Sequence, residues 1–173
     1  MLQDLDFSKE IKKQRLLDVL KKEASEVHIT DIMEFYLNLA VEGKYVQEHY
    51  KKEYLEAYVK GFILRIKEIK DNKNHYQGFV DKNDLTKALK LLGGQEKNLR
   101  EITVDQSFKV YALISLYTTF ILNEPIHIVG TLFPGGFRVK YENKIYYCPV
   151  KEAQKDNPNA VCGFCIAEQD VDV

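Results

Sequence analysis

The chain carries almost no net charge. Its 25 lysines and arginines balance 26 aspartates and glutamates, so the formal charge at pH 7 is −1. A protein that binds nucleic acid or an anionic membrane surface usually carries a basic patch on a basic domain. We therefore expect neither nucleic acid nor a membrane as a partner, and the composition points to no other partner.

The sequence also lacks a long hydrophobic run. Its longest uncharged stretch, Val110 to Asn123, has 14 residues, whereas a membrane-spanning helix needs about 20. Near the N-terminus, Asp4 and Lys9 interrupt any apolar segment of the kind that forms a signal peptide. Because the chain has three cysteines and no secretion signal, we expect a cytoplasmic protein with reduced thiols.

Motifs for nucleotide chemistry are absent as well. The chain has no Gly-x-Ser-x-Gly, no Walker-type glycine-rich loop and no dinucleotide-binding glycine fingerprint. No nucleotide cofactor is expected. If the protein is an enzyme, its sequence motifs leave the catalytic residues unknown.

The first two thirds of the chain have the hydrophobic spacing of helices. Apolar residues recur at three- and four-residue steps, which predicts a bundle of about five helices over residues 1–124. Thr30 and Asp81 are candidate N-caps, and Gly93-Gly94 is a candidate helix stop.

Two of these helices are predicted in more detail. A helix from about Lys44 to Asp71 places Tyr50, Tyr54 and Tyr58 on one apolar face, which we interpret as a core-facing stripe. A helix over about residues 104–123 is apolar almost all round, so we expect it at the centre of the bundle.

The pattern changes at Pro125, where the hydrophobic period falls to about two. This change predicts a three-stranded antiparallel meander over residues 126–150. The expected fold class is α+β, with a mostly helical N-terminal bundle followed by a small β-meander and a cysteine knuckle. We expect residues 1–173 to form a single domain, in which residues 125–173 are the meander and the cysteine tail.

All three cysteines lie in this tail. Cys148 ends a predicted strand, and Cys162 and Cys165 form a C-x2-C pair that begins 14 residues later. Thiolates are the ligands that zinc and iron–sulfur clusters prefer, and a C-x2-C turn brings two of them together. The sequence therefore predicts a metal site at Cys148, Cys162 and Cys165, with zinc slightly favoured over an iron–sulfur cluster.

Three cysteines leave the fourth position of a zinc site open, because structural zinc is normally four-coordinate. His127 is the obvious candidate. A register count, which starts from a pairing of Glu142 with Ile145, places His127 too far along the sheet to join Cys148, unless residues 126–133 lie outside the meander. The remaining candidates are Glu168, Asp170, a water molecule or no ligand at all.

Other functions are compatible with the same residues. An enzyme would use an open coordination position, assisted by His127, Arg138 or Glu168. A redox-active C-x2-C pair would need to open a helix after a strand, which this sequence does not suggest. In a protein–protein interaction module, the cysteines would be small apolar residues, and the long helix or an edge strand would provide the docking surface.

Over nearly its whole length, the chain resembles an uncharacterised protein family found mainly in methanogenic archaea. The segments that carry the resemblance are Ser115-Leu116-Tyr117-Thr118-Thr119-Phe120, Glu124-Pro125-Ile126-His127, Phe133-Pro134-Gly135-Gly136, Tyr146-Tyr147-Cys148-Pro149 and Cys162-x2-Cys165. The resemblance is strongest over residues 107–169. It implies an archaeal, intracellular and anaerobic setting in which an oxygen-sensitive cluster is feasible, but it implies no activity.

Overall fold

Helices form most of the protein, and a small sheet follows them. The computed structural model describes residue 2 and residues 4–42, 48–100, 107–133, 135–158 and 160–173. The α+β fold class is confirmed. Within these ranges the elements are α1 (Lys13–Ser25), α2 (Ile29–Glu42), α3 (Glu48–Asp71), α4 (Lys82–Arg100), α5 (Ser107–Tyr117), a π-helix (Thr118–Leu122), β1 (Lys140–Glu142), β2 (Ile145–Cys148), α6 (Lys151–Gln154) and β3 (Glu168–Gln169).

The start of α2 differs from the sequence prediction. Thr30 is the second residue of the helix and is therefore not its N-cap. Instead, the carboxylate of Asp31 accepts a hydrogen bond from the backbone N–H of His28 at 2.7 Å, and the backbone N–H of Asp31 donates to the carbonyl of His28. An acidic side chain in the first turn that bonds back to the preceding backbone fixes the helix start, which moves it ahead of Thr30.

The long predicted helix is observed as α3, which begins at Glu48. The predicted start at Lys44 lies outside the described residues, and so do the side chains of Tyr50, Tyr54 and Tyr58. The later part of the apolar face is buried only in part, because Ile63, which was predicted to lie on it, is 38% exposed. Its buried members include Phe62, Ile66 and Ile69.

Helix α4 is longer than predicted. Asp81 caps it as expected, because its Oδ1 accepts the backbone N–H of Asp84 at 2.9 Å. The prediction that Gly93-Gly94 ends the helix is wrong, since α4 continues to Arg100. Leu92 and Gln95 are buried on either side of the glycines, and this burial outweighs the weak helix propensity of glycine.

The central position of α5 is confirmed. Val110, Leu113, Ile114 and Leu116 are all fully buried, and α5 contacts each of α1, α2, α3 and α4. The last turn differs from the expectation, because residues 118–122 form a π-helix. The chain then leaves the helical conformation at Asn123, whose φ is 56°. Residues 104–106 of the predicted helix lie outside the described ranges.

The sheet has a different third strand from the one predicted. β1 and β2 are antiparallel, with Glu142 opposite Ile145 as expected. β3 then pairs parallel to the other edge of β2, so that Cys148 lies opposite Gln169. The strand predicted at residues 126–133 is wrong. That segment forms only an isolated bridge between Leu132 and Arg138.

Backbone conformation explains why residues 126–139 do not join the sheet. Gly130, Gly135 and Gly136 all have φ between 85° and 93°, and left-handed residues interrupt an extended ladder. The segment is still held as a loop, because Gly130 N–H donates to the Val139 carbonyl at 2.8 Å and Val139 N–H donates to the Thr131 carbonyl.

Two apolar clusters meet near the cysteines. The large cluster is built from the helices and also includes Val161, and it packs against Phe164 and Cys165. The small cluster contains Phe133, Val139, Cys148 and Ala167, with Cys165 packed against it as well. Cys165 therefore lies where the helical core and the small sheet meet. No helix in the described ranges is both long enough and apolar enough to cross a membrane.

Candidate metal centre

Cys148 is buried at the end of β2. Its side chain is 5% exposed and packs in the small cluster beside Val139 and Ala167. Burial raises the pKa of its thiol above the usual value, and the neighbouring thiol of Cys165 raises it further. The backbone N–H groups of Val150 and Lys151 oppose this rise, because they hydrogen-bond to the sulfur and favour the thiolate.

Cys162 and Cys165 lie on a tight turn. The backbone N–H groups of Phe164 and Cys165 both donate to the Val161 carbonyl at 3.2 Å. The turn favours glycine at position 163, because a Cβ there would lie 3.0 Å from the backbone oxygen of Lys155 and would force a small shift. Residues 161–167 form turns and irregular chain rather than the start of a helix, so the setting that a redox-active C-x2-C pair needs is not observed there.

Lys151 connects this turn to the strand that carries Cys148. Its ammonium group donates to the carbonyl of Cys162 at 2.6 Å and to that of Cys165 at 2.7 Å. Because Lys151 follows β2 by three residues, these two bonds hold the C-x2-C turn beside the end of the strand. The sequence pattern offers no sign of this role for Lys151.

The three thiols are near enough to influence one another. The pKa of Cys162 is raised to about 11, mainly by burial and then by repulsion from Cys165 and Cys148. Without a bound cation, the cysteines therefore favour the neutral thiol over the thiolate. A bound cation would reverse that preference. In the described part of the chain, no group of three or more His, Cys, Asp and Glu side chains is placed to hold a metal ion. The predicted metal site and its cysteine knuckle remain predictions.

The sheet register separates Asp170 and Glu168 from the thiols. Side chains alternate between the faces of a sheet, so Glu168, opposite Tyr147, faces away from Cys148. Asp170 lies two residues further on the same face, and its carboxylate is 2.9 Å from the ammonium of Lys140. Neither carboxylate is placed to serve as the fourth ligand.

The register count that placed His127 far from Cys148 does not apply to the structure. That count assumed a strand at residues 126–133, which is not formed. The His127 ring packs edge-on against Phe133, with ring centroids 5.2 Å apart, and Phe133 belongs to the same small cluster as Cys148. Burial lowers the pKa of His127 to about 4, so the imidazole is neutral at pH 7, as a metal ligand must be.

Arg138, the other predicted assisting residue, is held within its own loop, where it donates to the carbonyl of Gly130 at 2.9 Å. A different polar cluster, absent from the sequence predictions, extends from the buried Tyr117 of α5 to the surface of the helical bundle. The hydroxyl of the fully buried Tyr117 accepts a hydrogen bond from Asn72 at 2.7 Å and donates to Glu68 at 3.1 Å. Arg65 pairs with both Glu68 and Glu124. Tyr117 is one of several polar residues in the mostly apolar α5, and it is the signal in the sequence that points to this cluster.

Together the fold and the site define a mostly helical α+β protein with a cysteine-containing C-terminal segment packed on its bundle. The chain belongs to the family described as an uncharacterised protein conserved in archaea, DUF2115, whose profile matches residues 12–170.

The relatives of the chain come from methanogens. It is 42% identical to a UPF0305 protein of Methanothermobacter thermautotrophicus over 159 residues, which covers 92% of this chain and 97% of that protein. A second UPF0305 protein of that organism is 34% identical, with 89% and 94% covered. A UPF0305 protein of Methanocaldococcus jannaschii is 30% identical, with 91% and 96% covered. No solved structure matches the chain.

Proposed function

We propose that the protein binds a metal ion through Cys148, Cys162 and Cys165, with zinc favoured slightly over an iron–sulfur cluster. The observation that carries this proposal is the convergence of two separate segments that bear the cysteines. Lys151 bonds to the carbonyls of both members of the C-x2-C pair, and Cys165 packs against the cluster that contains Cys148.

Thiol chemistry supports the same conclusion. Burial raises the pKa of the Cys148 and Cys162 thiols, and the neighbouring thiol of Cys165 raises both further, which marks a place where a cation would stabilise the thiolates. Metal binding deprotonates cysteine ligands, and we expect the three thiols to turn toward the ion by changes of side-chain rotamer. The N–H groups at the Cys148 sulfur would remain as the outer hydrogen bonds that metal thiolates commonly receive.

For the fourth ligand of the proposed site, the register of the sheet argues against two of the candidates. Because Glu168 and Asp170 face away from Cys148, His127, a water molecule or an open position are the remaining choices. A fourth protein ligand would make the site a structural one, whereas a bound water would leave it open for chemistry.

The test is metal analysis of the protein purified without oxygen, combined with its ultraviolet–visible spectrum. We expect one zinc per chain in a colourless protein, or iron and sulfide in a brown one. Cys148→Ser, Cys162→Ser and Cys165→Ser should each lower the metal content. Asp170→Asn is the control on the opposite face of the sheet and should keep it.

Cobalt substitution then resolves the ligand set, because sulfur-to-cobalt charge-transfer absorption increases with the number of thiolates. Loss of about a third of this absorption is expected in each cysteine variant that still binds cobalt. A change in the visible bands of His127→Gln would identify the histidine as the fourth ligand. Protein that holds no metal, either as purified or after incubation with zinc, iron or cobalt, would refute the proposal.

An enzyme is the second candidate function, and one observation favours it. Cys165 lines a cleft of about 640 Å³, so a metal held by this thiol would lie beside a space that a small molecule can enter. An open coordination position facing a cleft is typical of catalytic rather than structural zinc.

A further inference from the structure

The cleft beside Cys165 has features of a binding site for a small molecule. It lies between the starts of α1 and α4, the π-helix, and the turn that carries the C-x2-C pair. Its volume of about 640 Å³ falls within the size range of pockets that bind small molecules, roughly 300–1,000 Å³.

Aromatic side chains form much of its apolar wall. Phe120 and Phe164 stack with ring centroids 6.3 Å apart and ring planes within 18° of each other. Phe79, which also lines the cleft, is 53% exposed to solvent. An exposed phenylalanine at the edge of a cleft leaves apolar surface that a flat apolar ligand would cover.

A buried hydroxyl in the cleft wall lacks a partner. Thr119 is 9% exposed and lines the cleft, and its Oγ1 is buried without a hydrogen-bond partner among the described residues. Leaving a buried polar group unpaired costs about 1–3 kcal/mol. Thr119 belongs to the π-helix, and single π turns occur often at functional sites.

The charges in the cleft leave one cation available. Lys87 pairs with Asp84 at 3.1 Å, Lys155 pairs with Glu152, and Asp81 is engaged as the N-cap of α4. Across the described ranges, no carboxylate lies within salt-bridge distance of the Lys13 ammonium. This free cation and the unpaired hydroxyl of Thr119 both favour an acceptor group on the ligand.

We propose that this cleft binds a small organic carboxylate with a flat apolar body. The body packs against Phe79, Phe120 and Phe164, and the carboxylate accepts hydrogen bonds from Lys13 and from Thr119, whose buried hydroxyl turns toward the cleft when the ligand binds. Since none of these contacts involves a metal, the proposal stands apart from the function proposed for the cysteines.

The experiment is a titration of the full-length, isotopically labelled protein, followed by backbone amide chemical shifts. Benzoate serves as the anionic probe, and benzylamine serves as a cation of similar shape and size. A fragment of this size should bind with a dissociation constant on the order of 1 mM. We expect benzoate to shift the amides of Thr119, Phe120 and Phe164, and benzylamine to shift them much less.

Two variants separate binding from folding. Lys13→Met keeps the apolar stem but removes the charge, and we expect it to weaken benzoate binding about fivefold to tenfold. Lys12→Met is the control, because Lys12 is exposed and does not line the cleft.

Thr119→Val should weaken benzoate binding severalfold without lowering the stability of the protein, since it removes an unpaired hydroxyl and keeps the shape of the side chain.

The titration is repeated after the protein has been dialysed free of metal. We expect benzoate to bind the metal-free protein equally well. The test of the cleft therefore does not depend on whether the cysteines bind a metal. The proposal is overturned if benzoate produces no shifts at about ten times the expected dissociation constant. It is also overturned if both probes shift the same amides equally, or if Lys13→Met binds benzoate as the unmodified protein does.

Discussion

His127 shows how the environment of a single residue sets its chemistry. The ring packs against Phe133 and burial lowers its pKa to about 4, whereas an exposed histidine in an unfolded chain titrates near 6.5. Between these two values the unfolded chain binds more protons than the folded one. The contribution of His127 to stability is therefore complete above pH 6.5 and is lost as the pH falls toward 4.

Replacing His127 with glutamine should remove this dependence. We compare the free energy of unfolding of the unmodified protein with that of His127→Gln. As the pH falls from 7 to 4, the difference should shift against the unmodified protein by on the order of 2 kcal/mol. Urea unfolding of both proteins across this range measures the difference. Carboxylates titrate in both proteins, so their effect cancels in the comparison. A difference that stays constant with pH would contradict a histidine held neutral by the fold.

At the scale of one element, α4 shows how tertiary contacts overrule a local signal. Gly93 and Gly94 lie inside the helix, and a Cβ at either position would meet no neighbouring segment of the described chain within 4 Å. The amide of Gln95 next to them donates to the carbonyls of Pro158 and Ala160 at 2.9 and 3.2 Å. The helix is thus anchored to the C-terminal segment at the point where its own sequence would end it.

This geometry predicts that alanine fits both positions better than glycine. Gly93→Ala and Gly94→Ala should each raise the free energy of unfolding by about 0.5–1 kcal/mol, because alanine loses less backbone freedom on folding. Chemical denaturation measures the change. Gly78→Ala is the contrasting variant, since Gly78 has equal space but a φ of 85°, and it should lower stability by about 1 kcal/mol or more. Equal effects at all three positions would contradict the assigned backbone conformations.

At the scale of the whole molecule, the cysteine-bearing segment is packed on the helical core. Val161, one residue before the C-x2-C pair, is 1% exposed within the large cluster, and Phe164 stacks on Phe120 of the π-helix. Apolar packing therefore contributes to holding this segment, in addition to any contribution from a metal.

Truncating Val161 should therefore destabilise the entire protein. We expect Val161→Ala to lower the free energy of unfolding by about 2 kcal/mol in a single transition. Val171→Ala makes the same chemical change at a side chain that is 88% exposed and should have almost no effect. Circular dichroism at helical wavelengths during urea unfolding measures both variants. If the helical transition is the same for the two variants, the tail folds separately, and the predicted single domain is wrong.

Local signals in the sequence predict local structure well. Asp81 is recognisable as a cap because its side chain bonds to a backbone N–H three residues away, and the Glu142–Ile145 pairing follows from a two-residue turn. Asn143 and Lys144 in that turn both have positive φ, at 52° and 67°. The central position of the apolar α5 is predictable because a helix without a polar face must be covered on every side.

Contacts between distant segments could not be predicted in this way. The parallel pairing of β3 with β2, and with it the Lys140–Asp170 ion pair, joins residues about 20 to 30 positions apart, for which a single sequence holds no pairing signal. The Lys151 bonds to the C-x2-C turn and the cleft beside Cys165 depend on the same long-range packing.

By itself, the sequence determined the helical bundle, its central helix and the concentration of cysteines near the C-terminus. These features follow from residue type and spacing, which act over a few positions. Only the tertiary structure decided which edge of β2 takes the third strand, which carboxylates face away from Cys148, and that α4 continues through its glycines. The physical reason is that these outcomes depend on burial against segments far away in the chain, and that burial outweighs local preference.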